Sequence, residues 1–80
     1  MIRVAGRRYS WHVARSTLGI KHSLTRRHRG QVFSFSWVNV SGELDPRKRT
    51  LSFLKAQIRE AARQIDRRIY VEESKAAEFS

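Results

Sequence analysis

The chain reads as an α+β domain: a three- or four-stranded antiparallel sheet with one C-terminal helix packed on one face. Two observations predict this. Residues Gln31 to Val40 are rich in aromatic and β-branched types, with Phe33, Phe35 and Trp37 on one side and Ser34, Ser36 and Val38 on the other, which is the period of a half-buried strand. Further on, Leu54, Ile58, Ala61, Ala62, Ile65 and Ile69 recur at three- and four-residue steps, the apolar stripe of an amphipathic helix.

The other elements follow from the same two periods. Tyr9, Trp11 and Val13 alternate with Ser10, His12 and Ala14, which predicts a short strand. Gly19 interrupts the chain, and Ile20 to Thr25 predict another strand. The run Arg26, Arg27, His28, Arg29, closed by Gly30, reads as an exposed basic turn. Ser41-Gly42 and Asp45-Pro46 mark a longer turn. Beyond it Lys48, Thr50 and Ser52 alternate with Leu51 and Phe53, so Arg47 to Phe53 predict the hairpin partner of the aromatic strand. The helix comes last, with Ser52 as its N-cap and its end near Tyr70. Lys55, Arg59, Arg63 and Arg67 lie on another side of it as a solvated face, with Glu60 pairing to Gln64 or Arg63. The helix stripe is expected to bury Phe33, Phe35, Trp37, Leu51 and Phe53.

Three segments result. Residues 1–18 form an N-terminal extension with room for an extra strand, 19–70 the sheet-and-helix domain, and 71–80 a flexible acidic tail.

At 80 residues the chain is one domain. An apolar fraction of 40% supports one modest core and is too high for a disordered tail. A domain this small has no room for a deep pocket beside its core.

Charge is the strongest compositional signal. There are 17 Lys and Arg against 7 Asp and Glu, a formal net charge of +10. Most of the cations are Arg, whose planar fork pairs bidentately with phosphate and with guanine edges. This is the electrostatic footprint of a nucleic-acid binder. An anionic membrane, an acidic protein surface and ribosomal RNA suit the same charge. No apolar run approaches the length of a membrane span, and Met1 to Arg8 lead into no apolar stretch that would make a secretory signal. A cytoplasmic, nucleoid-associated protein is the expectation.

Enzyme chemistry finds little support. The chain has no Cys, so thiolate nucleophiles and Cys-based zinc sites are excluded. His12, His22 and His28 fit no zinc spacing. Asp45, Glu60 and Asp66 fall in a turn or on the helix, and no Gly-rich phosphate loop is present. No catalytic residue, metal or cofactor is expected.

The order of motifs adds a resemblance. Gly19-Ile20 opens it, and a basic loop and an aromatic strand ending in Trp37 follow. Gly42 then lies in a turn before Arg47-Lys48-Arg49-Thr50-Leu51-Ser52-Phe53. Glu60-Ala61-Ala62 sits in an amphipathic helix closed by Arg68. This succession resembles the AP2 DNA-binding domain, in the form found in phage-type integrases and homing endonucleases. The resemblance covers roughly Gly19 to Arg68. It departs in a longer turn at Ser41 to Lys48, and in Ser34, Ser36 and Val38 where charged contacts are usual.

The resemblance implies that the sheet enters the major groove of DNA, which admits a β-ribbon. The matching positions are Lys21 and Ser23 on one strand, Ser34 and Ser36 on the next, and Lys48 and Thr50 on the third. The reading of the residues adds Arg26, Arg27 and Arg29 as a phosphate-clamping loop, and Arg47 and Arg49 reaching around the sheet edges. Charges on an edge also serve to block aggregation. The aromatic side is read as core rather than as a stacking platform for single-stranded bases.

The functional expectation is sequence-influenced binding of double-stranded DNA, as a regulator or a recombinase accessory module. Two alternatives stand beside it. One is an RNA-binding or ribosome-associated protein. The other is a small phage-type protein that binds an acidic host protein surface.

Overall fold

The computed structural model describes residues 1–40 and 51–78. Four strands precede one helix: β1 (Ile2–Val4), β2 (Arg7–Ser16), β3 (Gly19–His28), β4 (Gln31–Val40) and α1 (Leu51–Glu78). The strands form one antiparallel meander in the order β1-β2-β3-β4.

Two of the three hairpins close through a pair of residues with positive φ. Ala5 and Gly6 join β1 to β2, and Arg29 and Gly30 join β3 to β4. A two-residue hairpin with both central residues at positive φ matches the twist of its flanking strands. Gly in the second position adopts that conformation without steric cost.

Sheet alternation puts Tyr9, Trp11, Leu24, Phe33, Phe35 and Trp37 on the face toward α1. The helix meets them with Ile58, Ala61, Ala62, Ile65 and Ile69, all buried. Ala61 and Ala62 let the helix approach closely, while each buried Ile contributes about 1.5–3 kcal/mol by leaving water. The predicted helix stripe and the aromatic side of β4 therefore meet as expected, and Leu54 joins them partly buried.

Several expectations are corrected. The first eighteen residues, read as an extension with room for an extra strand, supply two strands, β1 and β2, and Tyr9 is among the most buried side chains of the core. Arg26, Arg27 and His28 belong to β3, so the basic turn shrinks to Arg29 and Gly30. Leu51, Ser52 and Phe53 start α1 instead of ending a strand. Ser52 is thus inside the helix and is not its N-cap, and Leu51 is largely exposed. The helix runs past Tyr70 to Glu78. Its last turns hold Glu, Lys and Ala, good helix formers with no Gly or Pro to stop them, and His28 Nε2 lies 2.6 Å from Glu73 Oε1. The turn and strand residues Arg47, Lys48, Arg49 and Thr50 lie outside the described residues.

A polar seam crosses the core beneath the first half of α1. His22 is almost fully buried between Trp11 and Trp37, with near-parallel rings at centroid distances of 5.8 and 5.2 Å. Trp11 Nε1 lies 3.3 Å from His22 Nδ1, and the Asn39 amide 2.9 Å from Nε2. Gln57 donates to Asn39 Oδ1 at 2.8 Å and accepts from Trp37 Nε1 at 3.1 Å. Both ends of this chain are indole N–H groups, which only donate, and a neutral imidazole accepts at one nitrogen alone. The seam is one acceptor short, and the 3.3 Å contact to Trp11 is its longest link.

Protonating His22 would remove its remaining acceptor, and burial already pushes its pKa below the ordinary value. For a base with a depressed folded-state pKa, stability is complete above the unfolded value of about 6.5 and declines as pH falls below it. Urea midpoints measured between pH 7.5 and pH 5 should therefore fall for the parent chain, and fall less for His22→Gln. Equal slopes for the two proteins would show that His22 carries no part of the acid sensitivity.

Candidate nucleic-acid interface

The sheet face turned away from α1 is built from the other half of each strand's alternation. It presents Arg3 on β1, then Arg8, Ser10, His12 and Ala14 on β2. On β3 it presents Lys21, Ser23, Thr25 and Arg27, and on β4 Val32, Ser34, Ser36, Val38 and Val40. No helix covers this face among the described residues.

Register turns the small residues into rows. Ser10, Thr25 and Ser34 lie side by side across three strands, as do His12, Ser23 and Ser36. The Thr25 and Ser34 hydroxyls are 3.0 Å apart and those of Ser23 and Ser36 2.9 Å. Such cross-strand hydroxyl pairs hold the register. Each hydroxyl keeps a further lone pair facing outward, able to accept from a base amine or, by rotating, to donate to a phosphate. The centre of the face is therefore low, flat and polar.

Cations bracket it. Arg27 lies at one end of β3 and Lys21 at the other, six residues or about 20 Å apart along the strand. Arg8 and Arg3 continue the Arg27 end across β2 and β1, and all four side chains belong to exposed residues. Arg29, in the turn beyond, is 81% exposed. Its guanidinium is 3.9 Å from Glu73, too loose to occupy it.

The distribution of acid is the sharper fact. Residues 1–42 contain Arg3, Arg7, Arg8, Arg15, Lys21, Arg26, Arg27 and Arg29 and not one Asp or Glu. Every described carboxylate is on α1: Glu60, Asp66, Glu72, Glu73 and Glu78. Among the described residues, the outer sheet face thus has no anion of its own to neutralise its cations.

The predicted site residues divide on this geometry. Lys21, Ser23, Arg27, Ser34 and Ser36 come together on the outer face, and Arg29 sits at its rim. Arg26 does not: strand alternation turns it toward α1. There its guanidinium donates to Asp66 Oδ1 at 2.6 Å, with its side chain only 17% exposed. Asp66 also accepts from Arg7 at 2.6 Å and from the Tyr9 hydroxyl at 2.8 Å. Burial by itself would raise the Asp66 carboxyl, but the three donors outweigh it and hold its pKa below the ordinary value. Burial, aided by the bond to Asp66, pushes the Tyr9 hydroxyl up to about 12. Arg26 is a structural cation that fastens β3 to the helix. Arg47, Lys48, Arg49 and Thr50 fall outside the described residues.

Arg3, Arg8, Ser10, His12 and Thr25 join the face without having been singled out from the sequence. Their signal was present: Ser10 and His12 are the polar partners of the Tyr9/Trp11 alternation, and Gly6 marks the hairpin that adds β1. No protein-family model matches the chain, and no curated protein or solved structure matches it.

Proposed function

We propose that the chain binds double-stranded DNA through the outer face of its sheet. The observation that carries this reading is the acid-free, hydroxyl-lined face with Arg27, Arg8 and Arg3 at one end and Lys21 at the other. Strands β2, β3 and β4 span two inter-strand steps, about 10 Å. The major groove of B-DNA is about 12 Å wide. Three strands of that width sit over the groove with small side chains at their centre, and the cations at the two ends of β3, about 20 Å apart, reach the phosphates on either side. A duplex RNA offers a deep, narrow major groove that such a face does not fit.

The same geometry favours binding that sequence tunes without dictating. Short hydroxyls bound to one another discriminate weakly between bases. In this reading the protein acts as a regulator or an accessory module of a recombinase, as the AP2 resemblance implies. The third strand of that motif order, Arg47 to Phe53, gives Leu51 to Phe53 to α1, so the reading stands on the outer face of the sheet and not on the motif order.

Duplex-DNA affinity measured against salt tests the reading, with duplex RNA and single strands of equal length as competitors. Each neutralised phosphate adds about 0.9 to the slope of log affinity on log salt. The parent chain should show a slope of several units and prefer duplex DNA, and Arg27→Ala should lower the slope by about one unit on any sequence. A preference for RNA would move the function to RNA binding. Absence of nucleic-acid binding altogether would leave the basic face to an acidic protein partner.

A further inference from the structure

We propose that the chain forms a two-fold dimer by antiparallel pairing of the free edge of β4 with the same edge of a second copy. β4 ends the sheet, and among the described residues no strand covers its outer edge. Its ten residues include no charged side chain, no Pro and no Gly, in a chain with a net charge of +10. Proteins that keep an edge strand unpaired protect it with charges, Pro or a bulge, and β4 has none of these within it. Among the described residues one side chain bonds to the edge from outside: Arg68 donates to the Ser34 carbonyl at 2.6 Å.

That contact fixes which backbone groups are on offer. The Ser34 carbonyl points away from β3, and alternation makes the N–H and C=O of Val32, Ser36, Val38 and Val40 point the same way. These are also the outer-face residues, and Val32, Val38 and Val40 are 57%, 38% and 62% exposed. A two-fold axis at Ser36 pairs Ser36 with its own copy, Ser34 with Val38, and Val32 with Val40. Val32 and Val40 then become cross-strand pairs, and Val38 lies opposite Ser34.

The helices choose a second copy over another partner. α1 runs antiparallel to β4, because Arg68 reaches Ser34 while Gln57 meets Trp37 and Asn39. A rise of about 1.5 Å per helix residue against about 3.4 Å per strand residue places Gln64 near the level of Ser36. The axis through Ser36 therefore sets Glu60 of one copy beside Arg68 of the other, twice. Glu60 is exposed and, among the described residues, is bonded to its own helix neighbours Arg63 and Gln64, so it can turn to Arg68 when pairing displaces that side chain from Ser34. An unrelated strand would gain the same backbone bonds without this reciprocal charge match. Pairing also keeps the crowded cations of β1 and β2 far from the axis.

Sedimentation equilibrium of the full chain over a wide concentration range tests this, beside thermal unfolding. The parent chain should dimerise. Val38→Pro removes an edge N–H that alternation turns away from β3, and it should weaken the dimer by about a hundredfold or more with little change in the monomer's unfolding. Glu60→Arg and Arg68→Glu should each weaken it by about tenfold, and the double variant should recover the affinity. The charge exchange decides alone should Val38→Pro fail to fold. A parent chain that stays monomeric overturns the proposal. So does a dimer that persists unchanged in Val38→Pro and in both charge reversals.

Discussion

Replacing Asp66 with Ala should destabilise the fold by about 2–4 kcal/mol, the largest loss expected from any single surface-facing substitution. Asp66 sits at 24% side-chain exposure where three donors converge: Arg7 from β2, Tyr9 from β2 and Arg26 from β3. Removing it leaves Arg26, at 17% exposure, with its charge and no partner. The buried Tyr9 hydroxyl loses its acceptor as well. Stranding one member of a buried ion pair typically costs about 3–5 kcal/mol, and the partial exposure of Asp66 lowers that figure. Arg7, half exposed, adds little. Asp66→Asn should cost less, because the amide oxygen still accepts one bond. Chemical denaturation of the three proteins at pH 7 checks the order. A fall of less than about 0.5 kcal/mol for Asp66→Ala would mean that water replaces the carboxylate at no cost. The hub also has a pH signature. The Asp66 carboxyl is held below its ordinary pKa, so its contribution is complete above about pH 4 and is lost as pH falls through the folded-state value. Asp66→Ala should remove that acid-range step while leaving the one assigned to His22.

The hub also shows where sequence reasoning stops. The aromatic side of β4 and the stripe from Leu54 to Ile69 were legible because each is a local period, and the two could only meet face to face. Arg26 and Arg27 are adjacent and chemically identical, yet one is tied into the core boundary and the other faces solvent. What separates them is strand parity together with Asp66, forty residues away in sequence. A run of four basic residues has no apolar alternation to reveal that it continues a strand. Leu51 and Phe53 misled in the opposite way. Two apolar residues two apart fit a strand, but they also begin the helix, and short apolar runs do not distinguish the two. The tail misled because its acidic composition was read as disorder, although it lacks any residue that stops a helix. For the interface, the cations were visible as composition, but their convergence with the hydroxyl rows required the register of three strands.

Reversing both ends of the β3 face, with Lys21→Glu and Arg27→Glu together, should weaken duplex-DNA binding by at least about a hundredfold at physiological salt. Each substitution removes a cation and puts a carboxylate against a phosphate, so each acts about twice as strongly as an alanine. The two positions are about 20 Å apart and share no partner, so their effects should add. The fold should not suffer. Both side chains are exposed on a face whose described residues include no anion, and reversing them relieves repulsion within the sheet. A matched pair on the helix, Arg59→Glu with Arg63→Glu, changes the net charge by the same amount on a different surface. If the whole-molecule charge drives binding, both doubles should weaken it alike. If the outer sheet face is the interface, the helix pair should lose about tenfold or less, the share of long-range steering that salt screens. Titration of the three proteins against one duplex at two salt concentrations separates the cases. Equal losses would refute the sheet as the binding face while leaving a basic, nucleic-acid-binding chain to be explained by its helix.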